Sequence, residues 1–277
     1  MNTIADANTA PRAIEATLNY VLDVGGVIYN YSGGPGSTET DSNITVDPQR
    51  MTIHNGRREG GPFDLDRQGF RLVEHRTHMR NFFDADELQR VYYQEMQELV
   101  KAQTGARRVV VFDHTLRTAD DEKREALKIR EVVRRVHNDY TEWSARQRVR
   151  DILPGEAEAL IARRFAIVQV WRPIHHPVET HPLAICDASS LAPGDLMVSE
   201  RRYPDRVGQT YAVRSNPAHR WTWFPRMQPD ETLVFKVYDS LDDGRARFVP
   251  HTAFEDPTSP PNARPRESIE IRTFAFF

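Results

Sequence analysis

The chain has 277 residues, 39% of them hydrophobic and 28% charged, which supplies enough apolar material for a sizeable core, in one large sheet-rich domain or two ordinary ones, and excludes disorder throughout. Its 37 basic and 40 acidic side chains nearly cancel, so no overall field draws it to nucleic acid or an anionic membrane, and a charged ligand must be recognised locally. A single cysteine, Cys186, excludes a disulfide framework and cysteine-rich zinc sites. With no cationic start followed by an apolar run at the N-terminus, and no apolar run of the roughly 18 residues a spanning helix needs, the expectation is a soluble, cytoplasmic protein.

Residues 1 to 15 are small and polar, and GGVIYNYSGGPGSTETDSN (25–43) is rich in Gly and Ser, so the chain is expected to begin with loops. DADELQRVYYQEMQELVKAQT (84–104) carries apolar residues at 88, 91, 92, 96, 99 and 100, an acidic start and Gly105 behind it, which predicts an amphipathic helix. RRVVVFDHTLR (107–117) reads as a short buried strand, TADDEKREALKIR (118–130) as a loop or helix, and EVVRRVHNDY as strand-like. TEWSARQRVRDIL (141–153) predicts a helix capped by Thr141, and GEAEALIARR (155–164) another. From FAIVQVWRPI (165–174) onward, strand-length words recur between turn residues: PLAICD, LMVSERRY, GQTYAVR, HRWTWFP, TLVFKVYDS, ARFVPHTAF and ESIEIRTFAFF. That rhythm indicates a β-sandwich or barrel. No linker composition separates the halves, so a single domain over 1–277 is expected. Within it, 1–105 forms a loop and helix elaboration, and 106–277 contains a mainly β core with flanking helices.

The word VHNDY (136–140) places a histidine two residues before a carboxylate. In an extended strand, His137 and Asp139 point to the same side and can share one cation. Two imidazoles and one carboxylate on one face of an octahedron leave three open positions, the arrangement of non-haem Fe(II) oxygenases. The second imidazole must come from elsewhere, and His251, in the late strand word FVPHTAF, is the candidate. In ARPRESIEIRTFAFF, alternation sets Arg266, Ser268, Glu270 and Arg272 on one side and Ile269 and Ile271 on the other. A guanidinium beside a hydroxyl can grip a carboxylate bidentately.

VVVFDHTLR, VHNDYTEWSARQRVRD, VQVWRPI followed by HPLAICDASSL, NPAHRWTWFPRMQPDETLVFKVYDS and VPHTAFEDPTSPPNARPRESIEIR span 108 to 272. Together they resemble the CmcJ/AsaB-like hydroxylase and desaturase family of non-haem iron, 2-oxoglutarate-dependent dioxygenases. The resemblance implies a double-stranded β-helix core of the jelly-roll, cupin-like kind, with Fe(II), 2-oxoglutarate and O₂ as cofactor and co-substrates. It implies hydroxylation or desaturation of a small secondary-metabolite-type substrate, with 2-oxoglutarate decarboxylated to succinate. His137, Asp139 and His251 are the implied metal ligands, and Arg266 with Ser268 the implied co-substrate anchor. Because PTSPPNARP is inserted ahead of Arg266, Arg264 and Arg272 stay open as the anchor.

Three further readings complete the expectation. HHPVETH gathers His175, His176, Glu179 and His181, but its spacing fits no HExxH helix, so surface histidines are expected there. Arg117 and His114 in DHTLR, and Arg172 on the opposite side of its strand from Gln169 and Trp171, are candidates for the substrate side. Lys236, a strand lysine among apolar neighbours, requires a partner if buried, and Asp239 is the expected one. Either 118–130 or the Gly-rich 32–43 stretch is a candidate lid. The rival readings are a non-catalytic cupin-like binding protein and an iron oxygenase that does not use 2-oxoglutarate.

Overall fold

A computed structural model describes residues 10–33, 38–58 and 62–277, so part of the Gly-rich candidate lid lies outside the described residues. The first five strands are β1 (Ala13–Val21), β2 (Ile28–Ser32), β3 (Thr40–Ser42), β4 (Val46–Asn55) and β5 (Phe70–Glu74). They correct the expectation of a loop and helix elaboration over 1–105. In β1, Ile14, Ala16, Leu18 and Tyr20 are buried while Glu15 and Thr17 between them are exposed, a period of two that makes a half-buried strand. β1 pairs antiparallel with β4 along its whole length.

The predicted amphipathic helix follows as α1 (Ala85–Glu87), one π-helical turn (Leu88–Tyr92) and α2 (Tyr93–Thr104). Asp84 caps its start by accepting from the Glu87 backbone N–H, and Gly105 ends it at φ 73°. After β6 (Arg108–Thr118), the charged segment forms α3 (Asp121–Leu127), and β7 (His137–Asn138) is only two residues long. Thr141 caps α4 (Glu142–Ile152) in a capping box with Ser144, and α5 (Ala157–Ile161) comes next. The strand words then appear in order as β8 (Phe165–Pro173), β9 (Leu183–Cys186), β10 (Leu196–Arg202), β11 (Val207–Val213), β12 (Trp221–Trp223), β13 (Glu231–Asp239), β14 (His251–Ala253) and β15 (Glu267–Phe276).

Two sheets face one another as a jelly-roll. One has the order β1-β4-β12-β9-β14-β7-β11-β10-β2-β3, the other β5-β13-β8-β15-β6. Phe165, Ile167, Trp171, Phe235 and Phe274 fill the space between the sheets against Leu183 and Ile185. On the outer side of the five-stranded sheet, Ala166, Val168, Val170, Ile269 and Ile271 pack under the helix residues Tyr92, Met96 and Val100. Full burial of Met96 and Val100 stabilises by about 1.5–3 kcal/mol each. The central strands β8 and β15 are therefore buried on both faces; β8 accordingly reads as a nearly unbroken apolar word, whereas β15 alternates the buried polar Ser268, Glu270 and Arg272 with Ile269 and Ile271. Lys236 meets its expected partner, donating to Asp239 Oδ2 at 3.0 Å, and also reaches Asp66 Oδ1 at 2.8 Å. At one end of the sandwich the inner faces turn polar, and there Gln169, Glu270 and Arg272 are buried.

Candidate metal centre

The short strand β7 lies between β11 and β14, and its register sets His137 directly opposite His251. Side chains opposite one another on adjacent strands share a face, so the two imidazole rings lie 4.5 Å apart between centroids. Asp139, two residues beyond His137, brings Oδ1 to 3.3 Å from His137 Nε2. One ligand atom from each of His137, Asp139 and His251 lies within 4.8 Å of the others. Asn138, pointing the other way, holds this geometry in place. Its side-chain amide donates to the Tyr140 and Val237 carbonyls and its Oδ1 accepts from the Val249 N–H at 3.1 Å, which ties β7 to the residues just before His251.

Hydrogen bonds select the ligand atoms. His137 Nδ1 sits 2.7 Å from the Arg135 carbonyl and His251 Nδ1 sits 3.0 Å from the Val249 carbonyl. A carbonyl only accepts, so each Nδ1 carries the proton and each Nε2 keeps a lone pair facing the other ligands. Asp139 Oδ2 accepts from Gln169 Nε2 at 2.6 Å and from Arg272 Nε at 3.0 Å, which leaves Oδ1 for a cation. Burial, reinforced by the neighbouring His137, pushes His251 down to about 4, so it is neutral at pH 7. Burial alone would raise Asp139, but the Arg272 charge, with His137 and His251 behind it, holds its carboxyl well below the usual range. Two imidazoles that each present Nε2 and a carboxylate that presents Oδ1 are a donor set for a divalent metal with open positions.

A narrow cleft beside these ligands is lined by Arg117, Trp171, Arg266 and Glu270. Arg266 is buried, donates through Nη1 to the His181 carbonyl at 2.6 Å and lies 5.4 Å over the Trp171 ring. Its Nε and the Ser268 hydroxyl are buried without a hydrogen-bond partner. Burial and the charge of Arg117 lower the Arg266 guanidinium to about 9, so it remains charged at neutral pH. A buried donor left unsatisfied costs about 1–3 kcal/mol, and two of them on one strand face fit a carboxylate acceptor. The other two arginines are committed elsewhere: Arg264 pairs with Glu179 at 2.7 Å, and Arg272 donates to Asp139, Asp113, Thr115 and Glu270.

Of the residues expected on the substrate side, Arg117 faces the centre and donates to the Glu131 carbonyl at 2.8 Å. His114 and Arg172 do not face it. Strand alternation turns His114 outward, where its Nδ1 meets Tyr93 OH at 2.7 Å, while Asp113 and Thr115 turn inward to Arg272. Arg172 likewise lies on the helix-covered face, donating to the His75 carbonyl with its guanidinium 5.7 Å from the Tyr92 ring. In HHPVETH, His175 pairs with Glu267 at 2.6 Å and Glu179 with Arg264, and no metal-ligand cluster other than His137, Asp139 and His251 occurs among the described residues. Sequence reasoning missed the support of Asp139 by Gln169, although alternation had put Gln169 on the Trp171 side. It also missed a 690 Å³ cavity that opens on the other side of Asp139 and Arg272, walled by Tyr140 and residues of α4 and β11.

Residues 18–276 match a family model described as "Oxidoreductase/YMDC permease-like domain". The chain is 33% identical to the hydroxylase/desaturase efuI of Hormonema carpetanum over 95% of each protein. It is 32% identical to the Fe(II)/2-oxoglutarate-dependent dioxygenase nvfI of Aspergillus novofumigatus over 90% of each. A solved structure of the iron and alpha-ketoglutarate-dependent endoperoxidase NvfI superposes with a TM-score of 0.85 at 29% identity, covering 97% of this chain and 99% of that one. No helix among the described residues is long and apolar enough to cross a membrane.

Proposed function

Given that the chain belongs to the hydroxylase/desaturase family of Fe(II)/2-oxoglutarate-dependent dioxygenases, we propose that His137, Asp139 and His251 hold the ferrous ion and that Arg266 and Ser268 hold the distal carboxylate of 2-oxoglutarate. The enzyme couples decarboxylation of 2-oxoglutarate to succinate with hydroxylation or desaturation of a small secondary-metabolite-type substrate. The observation that carries the ligand assignment is the convergence of Nε2, Oδ1 and Nε2 from three separate positions in the chain, each atom selected by a hydrogen bond to its other side.

Bound iron supplies the O₂ and redox chemistry that no side chain here can perform. The chain's own residues do the rest. Arg135 and Val249 carbonyls keep both imidazoles in the coordinating tautomer, and Gln169 and Arg272 hold Asp139 to one free oxygen. Arg266 and Ser268 find in a carboxylate the acceptor they lack. Arg117 brings a further positive charge to the same cleft and helps to orient the co-substrate. Trp171, buried under Arg266, excludes water from that side. The reading takes the whole of 1–277 as one oxygenase domain, in which strands from both ends of the chain complete the two sheets. It also places the enzyme in the cytoplasm, acting on a small molecule rather than on nucleic acid or membrane, in keeping with near-neutral charge and one buried thiol.

The test is spectroscopic. Fe(II) and 2-oxoglutarate are added without oxygen, and the weak visible charge-transfer band of the chelate is sought in the parent protein, in Asp139→Ala and in Arg266→Ala. The band is expected in the parent, absent in Asp139→Ala, and shifted to higher 2-oxoglutarate concentration in Arg266→Ala. A parent protein with no band would leave the non-catalytic binding reading in its place.

A further inference from the structure

The 690 Å³ cavity beside Asp139 has a charge pattern that the metal and co-substrate do not use. Arg130, Arg148, Arg201 and Arg206 line it, and none of them has a carboxylate within ion-pairing distance among the described residues. Arginines elsewhere in the chain are commonly paired, as in Arg57–Glu231, Arg108–Glu156, Arg245–Asp243 and Arg264–Glu179. Around the cavity, aromatic rings take the place of acids. The Arg148 guanidinium lies 5.5 Å over Phe112 and that of Arg206 lies 4.8 Å over Tyr203, contacts that hold a cation in position without cancelling its charge.

Of the acids that line the cavity, Asp113 and Asp139 accept from Arg272, while Asp151 accepts only from the neutral Gln147 at 2.9 Å and keeps its charge. Arg130, Arg148, Arg201 and Arg206 thus outnumber Asp151 and the mouth keeps a net positive charge, while Tyr140 and Trp143, the latter 49% exposed, line it with aromatic surface for an apolar body. Like charges gathered without counter-charges are destabilising unless a ligand supplies them.

We infer that the substrate is a carboxylate-bearing small molecule, its anionic end held by Arg148, Arg201 and Arg206 and its apolar body extending toward Asp139. The inference rests on the oxygenase reading of this centre. It also sets the orientation: the oxidised carbon lies on the part of the molecule away from the carboxylate.

The experiment uses protein loaded with Fe(II) and saturating 2-oxoglutarate without oxygen, so that a carboxylate probe cannot occupy the Arg266 cleft. The charge-transfer band is recorded first, and its absence removes the oxygenase reading itself. Binding of 1-pyrenebutyrate and of the uncharged 1-pyrenebutanol is then measured by fluorescence anisotropy. The butyrate is expected to bind about tenfold more tightly, as two partly exposed charge pairs allow. Raising the salt concentration should narrow the difference. In the Arg148→Gln/Arg201→Gln double variant the two probes should bind within about twofold of each other, and in Arg148→Lys/Arg201→Lys most of the preference should return. With the band present, equal binding of the two probes, binding of neither, or a preference that survives the double Gln substitution overturns the inference.

Discussion

Replacing Arg272 with Met keeps the aliphatic stem and removes a guanidinium that serves four partners at once. Its Nε donates to Asp139 Oδ2 at 3.0 Å, its Nη1 to Asp113 Oδ2 at 3.1 Å and Thr115 Oγ1 at 2.8 Å, and its Nη2 to Glu270. Arg272 is 7% exposed and Glu270 6%, so the substitution strands carboxylates where water cannot replace the lost charge. Breaking a buried pair by removing one partner costs about 3–5 kcal/mol, roughly a fifth or more of the stability of an ordinary domain. Asp139 adds a pH signature. Its carboxyl is held below the ordinary range in the folded protein, so its contribution is fully present above about pH 4 and is lost as pH falls through the folded value. Urea unfolding of the metal-free parent and Arg272→Met should therefore differ by about 3–5 kcal/mol at pH 7, with the gap shrinking below about pH 4. A difference under about 1 kcal/mol at pH 7, or one equally large at pH 3, would refute the claim that this arginine compensates the buried acids.

Arg266→Ala should raise the 2-oxoglutarate KM by about 10–100-fold, the loss of one charged hydrogen-bonding group, with a smaller effect on the affinity for Fe(II); steady-state kinetics and metal titration separate the two. Asn138→Ala leaves the Val249 N–H and the Val237 carbonyl without their partner and should cost about 2–4 kcal/mol in urea unfolding while weakening Fe(II) binding. His251, lowered to about 4 by burial, takes up its proton more readily unfolded than folded, so the metal-free protein should lose stability as pH falls from about 6.5 toward 4, and His251→Gln should flatten that slope. His114→Ala should leave turnover within about twofold of the parent, since His114 meets Tyr93 on the helix-covered face; a large loss of activity would contradict the strand register described here.

The HxD and Arg-x-Ser spacings were legible because a strand converts separation by two into a shared face, while the place of the late histidine and of the arginine in the set came from the resemblance to the family. Alternation likewise separated Arg172 from Gln169 and Trp171. It could not say which of those faces turns inward, because β8 is buried on both sides, and the substrate-side role expected of Arg172 belongs to the wrong face. On β6, the edge strand beside β15, His114 is half-buried on the helix-covered face, where it meets Tyr93. The strands before residue 75 went unread because their polar alternate positions resemble loop composition, although Ile14, Ala16, Leu18 and Tyr20 of β1 keep a period of two.

Residue chemistry and spacing by themselves determined that His137 and Asp139 share a strand face and that the second half is mainly β, and the resemblance to the family supplied the order of the candidate ligand set. Tertiary structure alone decided that β7 and β14 pair with His137 opposite His251, that Arg272 goes to Asp139 while Arg266 is left seeking an acceptor, and that a cationic cavity opens beside the centre. The physical reason is that alternation along one strand fixes only relative orientation. The choice of neighbour, and of which side is buried against which layer, is made by packing between segments far apart in the chain.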